Sequence, residues 1–433
     1  MKRLCAAAAA LIILISSLTA VSVSAADEKP SLAMTRFAYV YNLDGGFVMY
    51  EENAEKVIYP ASTAKMMTAI LALEYYADNY GKVITITEEV VNAAAGGTII
   101  SYKTGEQVTV EQLLYGLIVA NGNDAAYALA FSIAQTEEAF VALMNEKAKQ
   151  LGAENTNFVN PTGVDNSLGY TTVRDIAAIA CYAARIKKYT EISSAEKYTM
   201  SPTNMVGERI MANKNYLTSR SYTTKYYLSY CIGLNAGATV RGGNCCVALA
   251  SKNGITMLAV AMNVADGEGS VNYAFSDCKS MLEWAYDSFG YVKVLSSSEI
   301  VYEVPVRYCS SVDYVSLLPK DDVYVFLKKD TDIKSEIRGE YRLFADTLDA
   351  PVAEGQTVGE MVLFKGEDEV GRVDLVTKNA LSRSGALYAG DKLKKLFFNV
   401  WGVICVCVLV LVAVAGVLIK AYSRSRRQSG TRT

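Results

Sequence analysis

Two long apolar stretches without charge lie near the two ends of the 433-residue chain. The first runs from Leu4 to about Val21 behind a short basic N-terminus, and small residues follow it up to Ala26. This order is typical of a cleaved secretory signal peptide, which we predict over residues 1–26. A permanent N-terminal anchor is the alternative, and the short apolar core and the small residues after it disfavour that alternative.

The second apolar stretch, residues 396–419, is long enough to cross a hydrocarbon core of about 30 Å as a helix. A linker over 386–395 precedes it, and a basic tail without acidic residues follows at 420–433, which is typical of a cytoplasmic end. We therefore expect a single-pass protein of the cell membrane whose large N-terminal part is extracytoplasmic.

The pattern between these stretches predicts two domains. Residues 27–292 mix helical and strand-like runs, starting with a hairpin of Ala38–Tyr41 and Phe47–Tyr50 around a Gly-containing turn. Residues 293–385 instead show short β-prone runs separated by Gly, Pro and Asp turns. The second segment is therefore predicted to be a small β-rich domain.

One apolar helical pattern in the first domain carries candidate chemistry. Apolar residues recur at helical spacing from Met66 onwards, directly after Ser62 and Lys65. The spacing of three residues places both polar side chains on one face at the start of the helix. Because the chain has no histidine, a serine nucleophile here has no imidazole base, and a neutral lysine becomes the candidate base.

The Ser-x-x-Lys spacing is weak by itself, since Ser194 with Lys197 and Ser276 with Lys279 match it equally well. Context separates the three pairs. Only Ser62 follows a strand-like run with a Pro-Ala pair and precedes an apolar helix.

Composition argues against several classes of protein. The 42 Lys and Arg and 45 Asp and Glu give a net charge of −3, yet seven of the cations and none of the acids lie in the signal peptide and the tail. The part between them carries about −10 and is a poor nucleic-acid binder. Without histidine, a His-rich catalytic zinc site is excluded, and we predict neither metal nor cofactor. The pairing of the cysteines and the oligomeric state stay open.

Six runs along the chain resemble one known family in its order. They are Tyr59–Ala69, Gly105–Gly116, Gly122–Ala126, Asn157–Gly163, Tyr170–Thr172 and Asp349–Gly359. The family is the serine D-alanyl-D-alanine carboxypeptidases, or low-molecular-mass penicillin-binding proteins. The resemblance implies an α+β fold of two subdomains, of the β-lactamase-like transpeptidase type. A small all-β domain and one C-terminal transmembrane helix are expected to follow it.

The resemblance also implies roles for individual residues. Ser62 would be the acylated nucleophile, Lys65 the base that takes its proton, and Asn123 the amide that holds substrate. Lys65 must then be neutral at working pH, which requires desolvation or a nearby cation to lower its pKa. The backbone N–H of Ser62 and one from the strand of the third sequence box would form the oxyanion hole. The expected ligands are peptidoglycan stem peptides and β-lactams.

The second box of the family, Ser-x-Asn, departs from the pattern in this chain. It stands as Asn121-Gly122-Asn123, so the substrate-holding asparagine is present and the hydroxyl that helps to relay the proton is replaced by an amide. A neutral amide cannot shuttle that proton.

The third box, Lys-Thr-Gly, stands as Asn235, Ala236 and Gly237 at the expected substrate-binding position. It lacks the cation and the hydroxyl that hold the substrate carboxylate. The contact with the cation contributes about 1.5–3 kcal/mol and that with the hydroxyl about 0.5–1.5 kcal/mol. Turnover is therefore expected to fall by roughly two to three decades. The missing lysine also removes a like charge that would lower the pKa of Lys65. A literal Lys-Thr-Gly at 103–105 precedes the second box and is interpreted as a decoy.

Two functions stay open from the sequence. One is a membrane-anchored D-Ala-D-Ala carboxypeptidase of reduced activity, which the intact Ser62, Lys65 and Asn123 favour. The other is a catalytically impaired protein that binds peptidoglycan or serves as a scaffold for wall synthesis, which the altered boxes favour. A β-lactamase is disfavoured because it gains nothing from the β domain or the anchor. Arg241 is a candidate replacement cation, although an exposed turn arginine is the plainer interpretation.

Overall fold

The computed structural model describes residues 29–77, 79–94, 96–267, 271–397 and 400–429. The chain divides into two compact units, with the boundary between Phe289 and Gly290. The predicted signal peptide, residues 1–26, and the last four residues of the basic tail lie outside the described residues.

The first unit contains a five-stranded antiparallel sheet of order β2-β1-β9-β8-β7. The predicted hairpin is confirmed as β1 and β2, and β7 lies at the opposite edge. Two further strand pairs, β3 with β4 and β5 with β6, lie outside this sheet. The strands are β1 (Phe37–Asn42), β2 (Phe47–Glu52), β3 (Val83–Thr85), β4 (Gln107–Thr109), β5 (Lys197–Met200), β6 (Arg209–Ala212), β7 (Cys231–Thr239), β8 (Gly243–Lys252) and β9 (Ile255–Val264).

Helices cover the sheet and enclose one apolar core, in which β8 and β9 are buried along most of their length. Four of these helices begin at a threonine whose hydroxyl accepts a backbone N–H of the first turn, which stabilises their starts. The helices are α1 (Ala64–Tyr76), α2 (Glu88–Ala93), α3 (Val110–Ile118), α4 (Asn123–Ala134), α5 (Glu137–Gln150), α6 (Val173–Arg185), α7 (Lys187–Ser193) and α8 (Tyr273–Ser288).

The second unit contains a six-stranded sheet of order β14-β16-β17-β12-β11-β15 and a separate pair of β10 with β13. Its own apolar core lies between these strands. The strands are β10 (Phe289–Leu295), β11 (Tyr302–Arg307), β12 (Tyr314–Pro319), β13 (Val323–Lys328), β14 (Ile337–Leu343), β15 (Leu348–Asp349), β16 (Thr357–Lys365) and β17 (Asp368–Thr377).

Three helices accompany these strands: α9 (Ile333–Glu336), α10 (Gly385–Phe397) and α11 (Val400–Ser429). Within α11, the segment Gly402–Arg424 is long and apolar enough to cross a membrane, and it is the one such helix among the described residues. The stretch predicted to be a linker is helical, and the apolar helix continues past residue 419 into the basic tail.

Candidate active site

Ser62 lies in a short 3-10 turn, Ala61–Thr63, that leads directly into α1. The carbonyl of Pro60 accepts both the backbone N–H and the hydroxyl of Thr63, which fixes the turn. Ala61 has a φ of +46°, a left-handed conformation that a non-glycine residue adopts only when its surroundings impose it. The loop at Gly163 packs directly against this turn, and only glycine permits it, because a Cβ there would lie 1.6 Å from the Ala61 carbonyl oxygen. The nucleophile candidate therefore lies in a hydrogen-bonded and closely packed turn.

Lys65 follows on the first turn of α1 and is buried, with 3% of its surface exposed. Its Nζ donates to the backbone carbonyl of Thr162 at 2.8 Å. Burial lowers the pKa of Lys65 from its usual 10.5 to about 7. Burial alone therefore lowers this pKa, without a cation from the third box.

The second box contacts Ser62 through Asn121, whose Nδ2 donates to the serine Oγ at 3.3 Å. Its Oδ1 is buried and has no hydrogen-bond partner among the described residues. Because an amide N–H only donates, Asn121 Nδ2 orients the hydroxyl and cannot accept its proton. Asn123 begins α4, and its Nδ2 donates to the Gly96 carbonyl at 2.9 Å.

The third box lies on β7, the edge strand of the sheet. A Cβ at Gly237 would lie 2.5 Å from Ser62 Oγ and 2.7 Å from Asn121 Nδ2, so only glycine permits this close approach. Edge strands carry backbone N–H and C=O groups without a strand partner, and those of β7 are available to a peptide in the cleft.

These elements surround a cleft of about 560 Å³. It brings together six of the seven predicted site residues, namely Ser62, Lys65, Asn121, Asn123, Ala236 and Gly237. The seventh, Asn235, is buried and does not line the cleft, and its Oδ1 has no hydrogen-bond partner among the described residues.

Sequence reasoning missed Lys214, which lines the same cleft. Its Nζ donates to the Tyr222 hydroxyl at 2.9 Å and lies 4.4 Å from the centre of that ring. The buried Asn213 and Asn215 flank it, and the amides of both donate to backbone carbonyls, which fixes this loop. The sequence signal for Lys214 was the pair of asparagines that flank it. That pattern does not show that the lysine reaches the cleft of Ser62.

Asp165 also lines the cleft, and its Oδ2 accepts the backbone N–H of Arg241 at 2.7 Å. The guanidinium of Arg241 itself contacts Tyr59, with Nη1 3.4 Å from the hydroxyl, and is not part of the cleft wall. Among the described residues, Lys214 is therefore the basic residue that lines the cleft besides Lys65. Arg241, the replacement cation suggested from the sequence, does not line it.

Comparison with known proteins defines the class. Residues 24–266 match the family model described as D-alanyl-D-alanine carboxypeptidase. Residues 289–383 match the model of the C-terminal domain of penicillin-binding protein 5. The chain belongs to the serine D-alanyl-D-alanine carboxypeptidase family, which confirms the predicted resemblance, the predicted fold and the predicted enzyme class.

Individual relatives agree with this assignment. The chain is 28% identical to the D-alanyl-D-alanine carboxypeptidase DacF of Bacillus subtilis over 352 residues, which cover 80% of this chain and 86% of the relative. It is 28% identical to DacA of Haemophilus influenzae over 382 residues, or 85% and 92% of the two chains. The crystal structure of penicillin-binding protein 5 from Haemophilus influenzae superposes with a TM-score of 0.58 at 25% identity, covering 82% of this chain and 99% of that one.

Proposed function

We propose that this protein is a membrane-anchored D-Ala-D-Ala carboxypeptidase that cleaves peptidoglycan stem peptides through an acyl-enzyme on Ser62, with Lys65 as the base. The observation that carries this proposal is the burial of Lys65 in the cleft of Ser62, which lowers its pKa to about 7. About half of the lysine is then neutral at neutral pH and able to accept a proton.

The geometry supports a two-step acyl transfer. The neutral amine of Lys65 takes the proton of Ser62 Oγ, and the oxygen attacks the carbonyl carbon of the penultimate D-alanine. Backbone N–H groups of Ser62 and of the free edge of β7 stabilise the negative oxygen of the tetrahedral intermediate. Lys65 then gives its proton to the departing amine of the terminal D-alanine. In the second step Lys65 takes a proton from the water that attacks the ester carbonyl, and the ester C–O bond breaks as this proton passes to Ser62 Oγ. This regenerates the serine hydroxyl and the neutral amine.

The carboxylate of the terminal D-alanine requires a cation, and the third box no longer supplies one. We assign this role to Lys214, whose ammonium lines the cleft and contacts the hydroxyl and ring of Tyr222 rather than a carboxylate. Besides Ser62, the described residues that line the cleft and carry a hydroxyl are Thr98, Thr162, Tyr216 and Thr239, and none of them stands at a box position. Reduced turnover is therefore part of the proposal.

The anchor is α11, whose length and composition suit a membrane span. With the signal peptide predicted at the other end, the first unit would lie outside the cytoplasm and attached to the cell membrane. This is the location of the cell-wall peptidoglycan on which the proposed activity depends.

Release of D-alanine from a pentapeptide ending in D-Ala-D-Ala tests the proposal. We expect slow release by the protein and none by Ser62→Ala. Release should increase in the double variant Asn235→Lys with Ala236→Thr, which restores the third box. Equal release by the protein and by Ser62→Ala would contradict the proposal, and no increase in the double variant would show that the third box is not the limiting defect.

A catalytically impaired, peptidoglycan-binding protein is the second candidate. Asn121 favours this second candidate. Its side chain donates a hydrogen bond to Ser62 Oγ, whereas proton relay requires a group that both accepts and donates. Binding of the pentapeptide without any release of D-alanine would support this candidate.

A further inference from the structure

The cleft carries an acidic side chain that the proposed reaction does not use. Asp165 lines the cleft, and its Oδ2 accepts the backbone N–H of Arg241. Its Oδ1 is buried and has no hydrogen-bond partner among the residues that the structure describes. The nearby guanidinium of Arg241 is directed at Tyr59 instead. A carboxylate oxygen in this situation lacks a donor, and a ligand cation would supply one.

Contacts of β7 and of the turn after it show how far Asp165 lies from Ser62. Gly237 lies against Ser62, and Arg241, which donates to Asp165, follows four residues later in the turn after β7. At about 3.3 Å per strand residue, this places Asp165 at most about 13 Å along the strand from the reacting serine.

The loop that carries Lys214 meets the sheet on the other side of Gly237 along β7. The amide of its neighbour Asn215 donates to the carbonyl of Val247, and Val247 pairs with Asn235, two residues before Gly237. The cleft therefore carries a cation on one side of Ser62 and an anion on the other. Lys65, Lys214 and Asp165 are its three charged side chains within the described part of the chain.

This charge order matches one kind of peptide. In a stem peptide the scissile bond lies between two D-alanines, the free carboxylate lies on one side of it, and a diamino acid precedes it on the other. With the carboxylate at Lys214, an extended peptide beside β7 directs the diamino acid towards Asp165. We propose that Asp165 binds the side-chain ammonium of this residue, so that the protein selects stem peptides in which that amine is free rather than acylated by a cross-link. This inference rests on the proposed function for the direction of the peptide.

The test compares two peptides that differ only at this amine. They are Nα-acetyl-L-Lys-D-Ala-D-Ala and its Nα,Nε-diacetyl counterpart, titrated calorimetrically into the full-length Ser62→Ala protein in detergent, which cannot cleave them. We expect the free amine to bind about ten-fold or more tightly than the acetylated one, as for a charged hydrogen bond. Equal affinity of the two peptides would overturn the proposal without any further variant.

A second arm assigns the effect to Asp165. Asp165→Asn retains an oxygen that accepts the Arg241 N–H and removes the charge, so the two peptides should bind equally, with the affinity of the diacetyl peptide unchanged. Glu154→Gln, an exposed acid that does not line the cleft, is the matched control and should preserve the preference. A preference that survives in Asp165→Asn would overturn the assignment.

Failure of the ammonium subsite and failure of the proposed catalytic function give different results. Acylation of Ser62 by a penicillin, measured in the chain with Ser62 intact, depends on Ser62 and Lys65 and not on a peptide amine. If Ser62 is not acylated while the free-amine peptide still binds more tightly, the catalytic proposal fails and the ammonium subsite stands. If Ser62 is acylated and the two peptides bind equally, the subsite fails and the catalytic proposal stands.

Discussion

At the scale of single residues, the proposed reaction of Ser62 depends on the protonation state of Lys65. Its pKa is lowered to about 7 by burial, so the amine is charged below that pH and neutral above it. Only the neutral form accepts the Ser62 proton, so the rate of acylation should rise with pH and level off, with a midpoint near pH 7. Acylation by a fluorescent penicillin, followed from about pH 5 to 9, checks this. A rate that still rises steeply at the upper end of this range would show that Lys65 has an ordinary pKa.

Asn121 gives the second prediction at this scale. Asn121→Ser restores a hydroxyl that both accepts and donates beside Ser62 Oγ, and we expect acylation to be about 10- to 100-fold faster. Residue 121 has a φ of +60°, which asparagine tolerates better than serine, so stability should fall by about 1 kcal/mol. Asn253→Ser, at an exposed turn with a φ of +55°, should lose similar stability without faster acylation. Unchanged acylation in Asn121→Ser would show that the missing hydroxyl does not limit the reaction.

At the scale of elements, the turn that carries Ser62 is held by the loop around Gly163. A Cβ at Gly163 would meet the Ala61 carbonyl at 1.6 Å, and the φ of +77° is itself unfavourable for alanine. We expect Gly163→Ala to lower the free energy of unfolding by about 3 kcal/mol or more and to slow acylation. Denaturant titration provides the measurement.

Gly152→Ala is the matched control for this effect. Gly152 has a φ of +79° with open space around it, so its substitution should cost only the backbone strain, about 1 kcal/mol. Equal losses in the two variants would mean that the contact between Gly163 and the Ser62 turn contributes nothing.

Some elements were predictable from the sequence and others were not. The helix after Ser62 and the first hairpin follow from local periodicity, and the structure contains both. Helix α10 covers the predicted linker, and contacts distant in sequence support it: the Tyr308 hydroxyl donates to Asp391 at 2.7 Å, and the Tyr308 ring packs edge-to-face on Tyr388. Sequence periodicity does not show such contacts.

The same limit applies to the site. Ser62 and Lys65 lie three residues apart on one helix, so their proximity follows from the sequence. Lys214 and Asp165 reach the cleft from separate loops and belong to no motif of local spacing, so only the fold places them there. Asn235 was predicted to bind substrate from its box position, and the structure instead buries it away from the cleft wall.

At the scale of the whole molecule, attachment to the membrane should depend on α11 alone once the signal peptide is removed. A chain that ends at Phe397 lacks α11 and should move from the membrane fraction to the soluble fraction. Its rate of acylation by penicillin should equal that of the full chain, because no cleft residue is removed. Cell fractionation with immunodetection checks this, and a truncated chain that stays with the membrane would show that another segment anchors it.

If a neutral, buried lysine activates Ser62 although two of the three boxes are altered, a penicillin acylates this serine. Mass spectrometry of the full-length protein after incubation with a penicillin is the decisive measurement. We predict one covalent adduct, located on the peptide that contains Ser62, absent from Ser62→Ala and strongly reduced in Lys65→Met. An unmodified protein, or an adduct that persists unchanged in Lys65→Met, would contradict this activation of Ser62.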